Sequence, residues 1–198
     1  MFTLGTKPYS KDTTSTAWSS HHRTASRVDL ADRVPVFPRC DNVRPQVIHA
    51  PSAANTKGTT YIMDAVASLS QRYEFDFKLV QGVTPERVKQ LSRACDIFID
   101  QLICGEYGLA SVEAMSLGKP VICYLKEACS RSLPEGCPEV NANPSTIEQQ
   151  LELLLADAPL RHTLGKQGRA FVEEHHNSIK VAQQLVQIYQ GLLTPMRV

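Results

Sequence analysis

From residue 46 onward, short apolar segments alternate with segments that have the spacing of amphipathic helices. The strand-like segments lie at 46–50, 73–80, 95–99 and 121–125. Helix-like segments separate them, and the chain from residue 145 is helical in pattern. Strands that alternate with helices in this way form a parallel sheet covered on both faces. The sequence therefore predicts an α/β fold with a doubly wound, Rossmann-like parallel sheet.

Two helices are predicted from the residues at their ends as well as from their apolar faces. Thr84 and Pro85 are typical of a helix cap and a first helical residue. The segment 108–117 is predicted to be a helix that ends at Gly118. In such folds ligands bind outside the carboxyl ends of the strands, so the loops that follow the strands are the candidate sites.

The first part of the chain has a different composition. Residues 1–32 show no apolar period and are rich in Ser and Thr, so we expect a poorly ordered leader. A signal peptide is not indicated, because no apolar core segment is present, and a transit peptide is the less favoured alternative. Residues 33–198 are predicted to form one domain, since the chain is too short for two ordinary ones.

Composition narrows the classes of partner. A formal net charge of +1 gives no reason to expect nucleic acid or an acidic membrane as partner. No stretch approaches the roughly 20 apolar residues that span a bilayer. The six cysteines form no C-x-x-C pair and no zinc-ligand spacing. We expect free thiols in a cytoplasmic protein without a metal, with a Cys129–Cys137 disulfide as the alternative.

The histidines are not predicted to bind a metal. His49 ends the first strand, and a ring hydrogen-bonded to backbone is favoured over one that approaches a ligand. His175 and His176 lie in a predicted helix beside Glu173 and Glu174, without a third ligand nearby in sequence. We expect these two side chains to lie on the surface.

The loop after the first strand, residues 51–58, is the first candidate binding site. It ends in Lys57 and Gly58 at the start of a helix, where unpaired N–H groups and the helix dipole favour an anion. Asn55 and Thr56 could donate further hydrogen bonds, although the loop lacks the Walker A pattern. The alternative is a solvated lysine near a helix start.

The loop 104–108 and the helix that follows it are the second candidate. Gly105 and Gly108 allow the backbone to approach a ligand closely. Glu113 lies on the first turns of the helix in an apolar setting, where a carboxylate needs a partner. The vicinal hydroxyls of a ribose suit an ionised carboxylate, which accepts from both. The alternative is a salt bridge to a nearby lysine or arginine.

Residues 105–122 read GEYGLASVEAMSLGKPVI. This run resembles the signature of the family 4 (group 1) glycosyltransferases of the GT-B fold, which typically reads E-G-F-G-L-x-x-x-E-A-M-A-x-G-x-P-V. The order of predicted strands and helices is similar as well. The resemblance implies the C-terminal, donor-binding half of a retaining, metal-independent transferase without a resident cofactor. Its donor substrate would be a nucleotide diphosphate-sugar.

The resemblance also implies roles for individual residues. Glu113 would hold the ribose hydroxyls, and Lys57 would meet the diphosphate and stabilise the departing charge. Gly58 would belong to the same phosphate-facing turn as Lys57. Gly108 and Leu109 correspond to the loop and helix start that lie against the donor in the family.

The chain departs from the family pattern at two positions. The first signature glutamate, which contacts the donor sugar, falls on Gly105. The nearest acid is Glu106, which takes that role only if the loop shifts, so the candidate catalytic residues are Lys57 and Glu106. Ser52 stands where an arginine usually precedes the lysine, so the diphosphate would depend more heavily on Lys57. Tyr107, at the loop tip, is the aromatic residue expected nearest to the ligand.

The resemblance covers only one of the two Rossmann-like domains of a GT-B enzyme, since the acceptor is bound by the N-terminal domain. We therefore expect a separate partner domain or a truncated gene product. The first functional hypothesis is a sugar transferase that is incomplete without that domain. The alternatives are a non-catalytic nucleotide-sugar-binding or interaction module that docks on a separate acceptor-domain chain, or an incomplete sugar-nucleotide epimerase.

Overall fold

The computed structural model describes residues 27–131, 133–134 and 136–193. The strands are β1 (Gln46–His49), β2 (Asp76–Leu79), β3 (Ile97–Ile99), β4 (Val121–Cys123) and β5 (Val140–Asn141). The helices are α1 (Ala54–Lys57), α2 (Thr59–Leu69), α3 (Pro85–Ala94), α4 (Leu109–Ser116), α5 (Glu127–Ser130), α6 (Ile147–Ala156), α7 (Ala158–His175) and α8 (Ser178–Leu193).

The strands form one parallel sheet in the order β2-β1-β3-β4-β5. The chain moves from β1 to one side for β2 and then to the other side for β3, so the strand order reverses between β1 and β3. His49 is paired with Leu79 of β2 and with Ile99 of β3. The loops after these three strands therefore begin at one edge of the sheet, where ligands of such sheets bind.

Successive strand residues point to opposite faces, and each face is covered by helices. Val47 of β1 and Ile97 of β3 belong to a buried cluster that includes residues of α2 and α6. Their neighbours Ile48 and Phe98 belong to a second cluster, which includes residues of α4 and α7. The doubly wound architecture predicted from the sequence is confirmed.

The predicted helix ends are confirmed, whereas the strands are shorter than predicted. The Thr84 hydroxyl accepts from the backbone N–H of Arg87 at 3.3 Å, and Gly118 has a φ of +78° directly after Leu117, the C-cap of α4. The strand predicted at 73–80 is limited to β2, which lies at the edge of the sheet. β5 and α5 were not predicted, because residues 126–144 have neither an apolar run nor a clear period.

The predicted boundary of the leader at residue 32 is placed too late. Val28 is buried, its N–H donates to the carbonyl of His176 at 2.9 Å, and its carbonyl accepts from the N–H of Ser178 at 3.1 Å. This pairing with a distant turn leaves no periodic pattern around residue 28, which is why the sequence did not reveal it. Residues 1–26, the rest of the predicted leader, lie outside the described residues.

None of the six cysteines, all of which lie in the described ranges, forms a disulfide, as their spacing predicts, so the alternative Cys129–Cys137 disulfide is not formed. Within the described ranges, no helix has the length and apolar character required to cross a membrane.

Candidate functional site

His49 is the last residue of β1, at the edge of the sheet where the loops begin. Its Nδ1 is 2.9 Å from the carbonyl oxygen of Ile99, and its Nε2 is 2.9 Å from the hydroxyl of Thr59. The ring is buried, and burial lowers its pKa, which favours the neutral imidazole. His49 thus connects β1, β3 and the start of α2, and the prediction of a histidine bonded to backbone is confirmed.

Lys57 is the last residue of α1 and forms an ion pair at the edge of the sheet. Its Nζ lies 2.6 Å from Oδ1 of Asp100, the residue that follows β3. The Lys57 side chain is 19% exposed and that of Asp100 only 2%, so the alternative of a solvated lysine is wrong. Gly58, with a φ of +75°, turns the chain from α1 into α2.

Asp100 connects this ion pair to α4. Its second oxygen, Oδ2, accepts from the hydroxyl of Ser111 at 2.9 Å. Both oxygens of a nearly buried carboxylate are thereby hydrogen-bonded, as a buried charge requires. Asp100 was not predicted to be a site residue, although two polar residues directly after an apolar strand, Asp100 and Gln101, were an available signal.

Gln101 shapes the loop that follows. Its Nε2 donates to the carbonyl oxygens of Glu106 and Tyr124, both at 2.9 Å. Its Oε1 accepts from the N–H groups of Ile103 at 2.8 Å and Cys104 at 2.6 Å. One buried side chain thus determines the path of residues 103–106.

Gly105 adopts a backbone conformation that other residues rarely take. Its φ is +82°, and its carbonyl accepts from the N–H of Lys126 at 2.9 Å. A Cβ at this position would overlap the aliphatic chain of Lys126. In this loop conformation a glycine is favoured over an acid at the signature position. The neighbouring Glu106 is exposed, and its Oε1 lies 3.2 Å from the thiol of Cys129.

A second buried carboxyl group, Glu139, lies beside Ser111 and Asp100. Neither of its oxygens has a hydrogen-bond donor within the described part of the chain, because the nearby hydroxyl of Ser111 donates to Asp100. Burial raises the pKa of Glu139 to about 8; the Ser111 hydroxyl opposes the shift and the charge of Asp100 adds to it. Burial therefore favours the protonated form of this group. Nothing in the local sequence indicated its burial.

Glu113 faces a cavity of about 620 Å³ between α3, α4 and the ends of β1 and β2, here called the Glu113 cavity. Its walls include residues 32–33, 50–52 and 80–83. Oε1 of Glu113 lies 2.8 Å from Nη2 of Arg33, and the Glu113 side chain is 40% exposed. The expectation of an apolar setting is wrong, because Glu113 lies on the open face of α4. The salt bridge left open as an alternative is present.

Tyr107 is part of the core rather than of this cavity. Its ring packs edge-on against Phe171, and its hydroxyl lies 2.9 Å from Nε2 of His176. His176 is buried, so its predicted surface position is wrong. The expectation that Tyr107 is the aromatic residue nearest the ligand finds no support in the walls of the Glu113 cavity.

The start of α4 presents the remaining predicted residues. Gly108 precedes the helix in an extended conformation, and Leu109, its first residue, is 50% exposed. Ser111 and Glu113 follow on the same helix, so α4 contributes both to the Lys57–Asp100 ion pair and to the Glu113 cavity. Across the described ranges, no group of three or more His, Cys, Asp or Glu side chains is arranged to hold a metal ion.

The fold and the candidate site define a class: a Rossmann-like domain with candidate ligand-binding residues on the loops at the carboxyl edge of a parallel sheet. The family described as glycosyl transferases group 1 matches residues 73–171. This match covers half of the chain, and the chain belongs to that family. No curated protein sequence is significantly similar to it.

Solved structures with this fold include GT-B enzymes. Sucrose-phosphate synthase from Thermosynechococcus elongatus is 22% identical, with a TM-score of 0.65 over 84% of this chain and 51% of the enzyme. The C-terminal domain of LpcC, a group 1 glycosyl transferase family protein from Francisella tularensis, is 17% identical, with a TM-score of 0.58 over 76% of this chain and 99% of that domain. HepE from Anabaena, solved with UDP-glucose, is 16% identical, with a TM-score of 0.56 over 75% of this chain and 49% of HepE.

The chain therefore spans about half the length of sucrose-phosphate synthase and of HepE. It corresponds to nearly the whole of the isolated LpcC domain. The predicted identity as the C-terminal domain of a GT-B, group 1 glycosyltransferase is confirmed.

Proposed function

We propose that this chain binds the donor in a sugar transfer from a nucleotide diphosphate-sugar to an acceptor, with retention and without a metal. The observation that best supports this function is the placement of two opposite charges at the carboxyl edge of the sheet. Lys57 follows β1, and Glu113 lies on α4 after β3, in a domain of a glycosyltransferase family. HepE, which has the same fold, was solved with UDP-glucose.

Lys57 is proposed to meet the diphosphate. The ammonium and the N-terminal turn of α2, which begins directly after Gly58, both favour a negative group at this position. The charge that develops on the departing diphosphate would be stabilised by a cation already held in place by Asp100. Since Ser52 has no positive charge, Lys57 would be the principal cation of the loop 51–58.

Glu113 is proposed to bind the ribose. It projects into a cavity with walls from the loops after β1 and β2, and its carboxylate accepts hydrogen bonds. Arg33 engages Oε1, so the vicinal hydroxyls would donate mainly to Oε2.

The loop 105–109 is proposed to lie against the donor sugar. Gly105, Gly108 and Leu109 would border the sugar, with Tyr107 supporting the loop from the core. Glu106 is the exposed acid of this loop and the candidate for the contact that the family assigns to the position of Gly105. Its carboxylate would have to turn from Cys129 toward the donor.

Transfer is proposed to need an acceptor-binding domain as well as this domain, in a cytoplasmic enzyme. The chain spans about half of sucrose-phosphate synthase. Ile103, just before the loop 105–109, and Leu109, at its end, are 42% and 50% exposed and would be apolar contacts for that domain. The second candidate, a donor-binding module without catalysis, is favoured by the glycine at 105 and the serine at 52.

The test is thermal unfolding of the full chain with UDP, GDP, ADP and their common sugar conjugates. A ligand at ten times its dissociation constant should add about 1.4 kcal/mol of stability. That corresponds to a rise in Tm of about 3–6 °C. One nucleotide should give this shift in the wild type and in Glu174→Ala, an exposed control, but not in Glu113→Ala. A folded chain whose Tm responds to no nucleotide would refute the proposed function.

A further inference from the structure

The chain before β1 forms one wall of the Glu113 cavity. We call residues 28–36 the entry segment. Its Val28 is bonded to the turn between α7 and α8, and the N–H of Val36 donates to the carbonyl of Leu117 at 2.9 Å, just after α4. Asp32 pairs with Lys89 of α3, across the cavity mouth. The segment is thus fastened at both ends and along its length.

Arg33 is held in this segment by a second arginine. Nη1 of Arg169, on α7, donates to the carbonyl of Arg33 and to that of Ser116, both at 2.6 Å. Nε of Arg169 is itself 2.6 Å from Glu173. The backbone of Arg33 is therefore clamped to the C-terminal end of α4, the helix on which Glu113 lies.

The clamped backbone presents the Arg33 guanidinium to Glu113. The Arg33 side chain is only 15% exposed, and within the described residues it is the hydrogen-bond partner of Oε1 of Glu113. An exposed glutamate on a helix samples several rotamers, whereas one held by a charge-assisted hydrogen bond is restricted. An arginine whose backbone is clamped and whose side chain is mostly covered is poorly suited to move aside for a ligand, so the contact is suited to orient Glu113.

We propose that Arg33 is a positioning residue for nucleotide recognition. It fixes Oε1 of Glu113 so that Oε2 faces the ribose hydroxyls of the donor. The inference rests on the proposed role of Glu113, and it makes the entry segment part of the donor site. Arg33 acts through Glu113, so its contribution depends on the presence of the ribose hydroxyls in the ligand.

The experiment compares ligands that differ only in those hydroxyls. The dissociation constants of UDP and of 2′,3′-dideoxy-UDP are measured calorimetrically for the full-length wild type, Arg33→Met, Arg33→Lys and Glu113→Gln. If GDP or ADP binds the wild type more tightly than UDP, that nucleotide and its dideoxy form are used instead. We expect Arg33→Met to weaken binding of the ribonucleotide about ten-fold and to change binding of the dideoxy form less than two-fold. Arg33→Lys, which keeps the charge but loses the planar guanidinium, should lie between.

Arg39→Met is the matched control, because Arg39 lies just beyond the same segment and pairs with Asp41 in solvent.

Adding Arg33→Met to Glu113→Gln should not change the preference for the ribonucleotide further. An equal loss for both ligands would overturn the inference in favour of a purely structural contact, and tighter binding in Arg33→Met would show that Arg33 blocks the site. If Glu113→Gln removes the preference and Arg33→Met retains it, the inference fails while the proposed function stands. A wild type that binds no nucleoside diphosphate would refute both.

Discussion

Nζ of Lys57 and Oδ1 of Asp100 lie 2.6 Å apart at the point where the loops after β1 and β3 meet. The other oxygen of Asp100 accepts from Ser111, two residues before Glu113 on α4. The cation proposed to meet a diphosphate is therefore connected, through two hydrogen bonds, to the helix that presents the proposed ribose-binding carboxylate. We expect the proposed site to depend on this connection as well as on the two charges.

Replacement of Lys57 should reduce both stability and diphosphate binding. Lys57→Met leaves the buried Asp100 without its cation, which should cost about 2 kcal/mol, less than for a fully buried pair because Lys57 is partly exposed. Binding of a nucleoside diphosphate should weaken about ten-fold or more, and binding of the nucleoside should not change. Denaturant unfolding and calorimetric titration with UDP and uridine measure the two effects.

The double variant Lys57→Met/Asp100→Asn separates these contributions. Removing the unpaired charge should restore part of the stability, whereas diphosphate binding should stay weak. Recovery of diphosphate binding in the double variant would contradict the role of Lys57 as the phosphate-binding cation.

Stability should fall as the pH rises from about 4.5 to about 8 because of Glu139. The group has an ordinary pKa near 4.5 in the unfolded chain and about 8 in the folded protein. Within this window the folded protein retains a proton that the unfolded chain has lost, so a higher pH favours unfolding. Each pH unit can remove up to about 1.4 kcal/mol.

The measurement is urea unfolding of the wild type and Glu139→Gln at several pH values between 5 and 8.5. The glutamine resembles the protonated acid and does not titrate. The free energy of unfolding of the variant, relative to that of the wild type, should therefore increase as the pH rises. Parallel pH profiles would show that Glu139 is ionised in the folded protein.

Gln101→Leu should make the loop of residues 103–106 more mobile without unfolding the domain. The substitution leaves the N–H groups of Ile103 and Cys104 without their acceptor, at a cost of roughly 3 kcal/mol. Amide hydrogen exchange should become faster at residues 103–106 while the strands stay protected. Gln71→Leu, at an exposed turn, serves as the control and should change neither stability nor exchange in the loop.

Gly105→Ala should destabilise the protein more than Gly82→Ala. Both glycines have a positive φ, +82° and +67°, which costs an alanine about 1–2 kcal/mol. A Cβ at Gly82 meets nothing within 4 Å, whereas one at Gly105 overlaps Lys126, so the difference measures the overlap. Thermal or urea unfolding gives both values. The excess cost at Gly105 should disappear in a Lys126→Ala background, and its persistence there would rule out Lys126 as the cause.

Much of the fold was predictable because it depends on local patterns. The apolar period defined the strands and most helices, and the residue types at Thr84 and Gly118 located two helix ends, since capping and left-handed turns involve neighbouring residues. Lys57 and Glu113 were identified by the same means, each from its place at the start of a helix after a strand.

The hydrogen-bond partners of Lys57 and Glu113 could not be predicted from such local patterns. Arg33 is 80 residues from Glu113, and Asp100 is 43 residues from Lys57. Similarly, His176 is buried because the distant Tyr107 packs against it, although the charges beside it in sequence indicate a surface.

The sequence by itself determined the parallel α/β architecture, the family signature and the loops on which the candidate site lies, because hydrophobic period and turn chemistry act between near neighbours. Only the tertiary structure decided which charges are paired, which carboxyl group is buried without a hydrogen-bond donor among the described residues, and which segment encloses the cavity. Those properties depend on desolvation and on contacts between residues far apart in the chain, and both arise only when the sheet and its helices pack together.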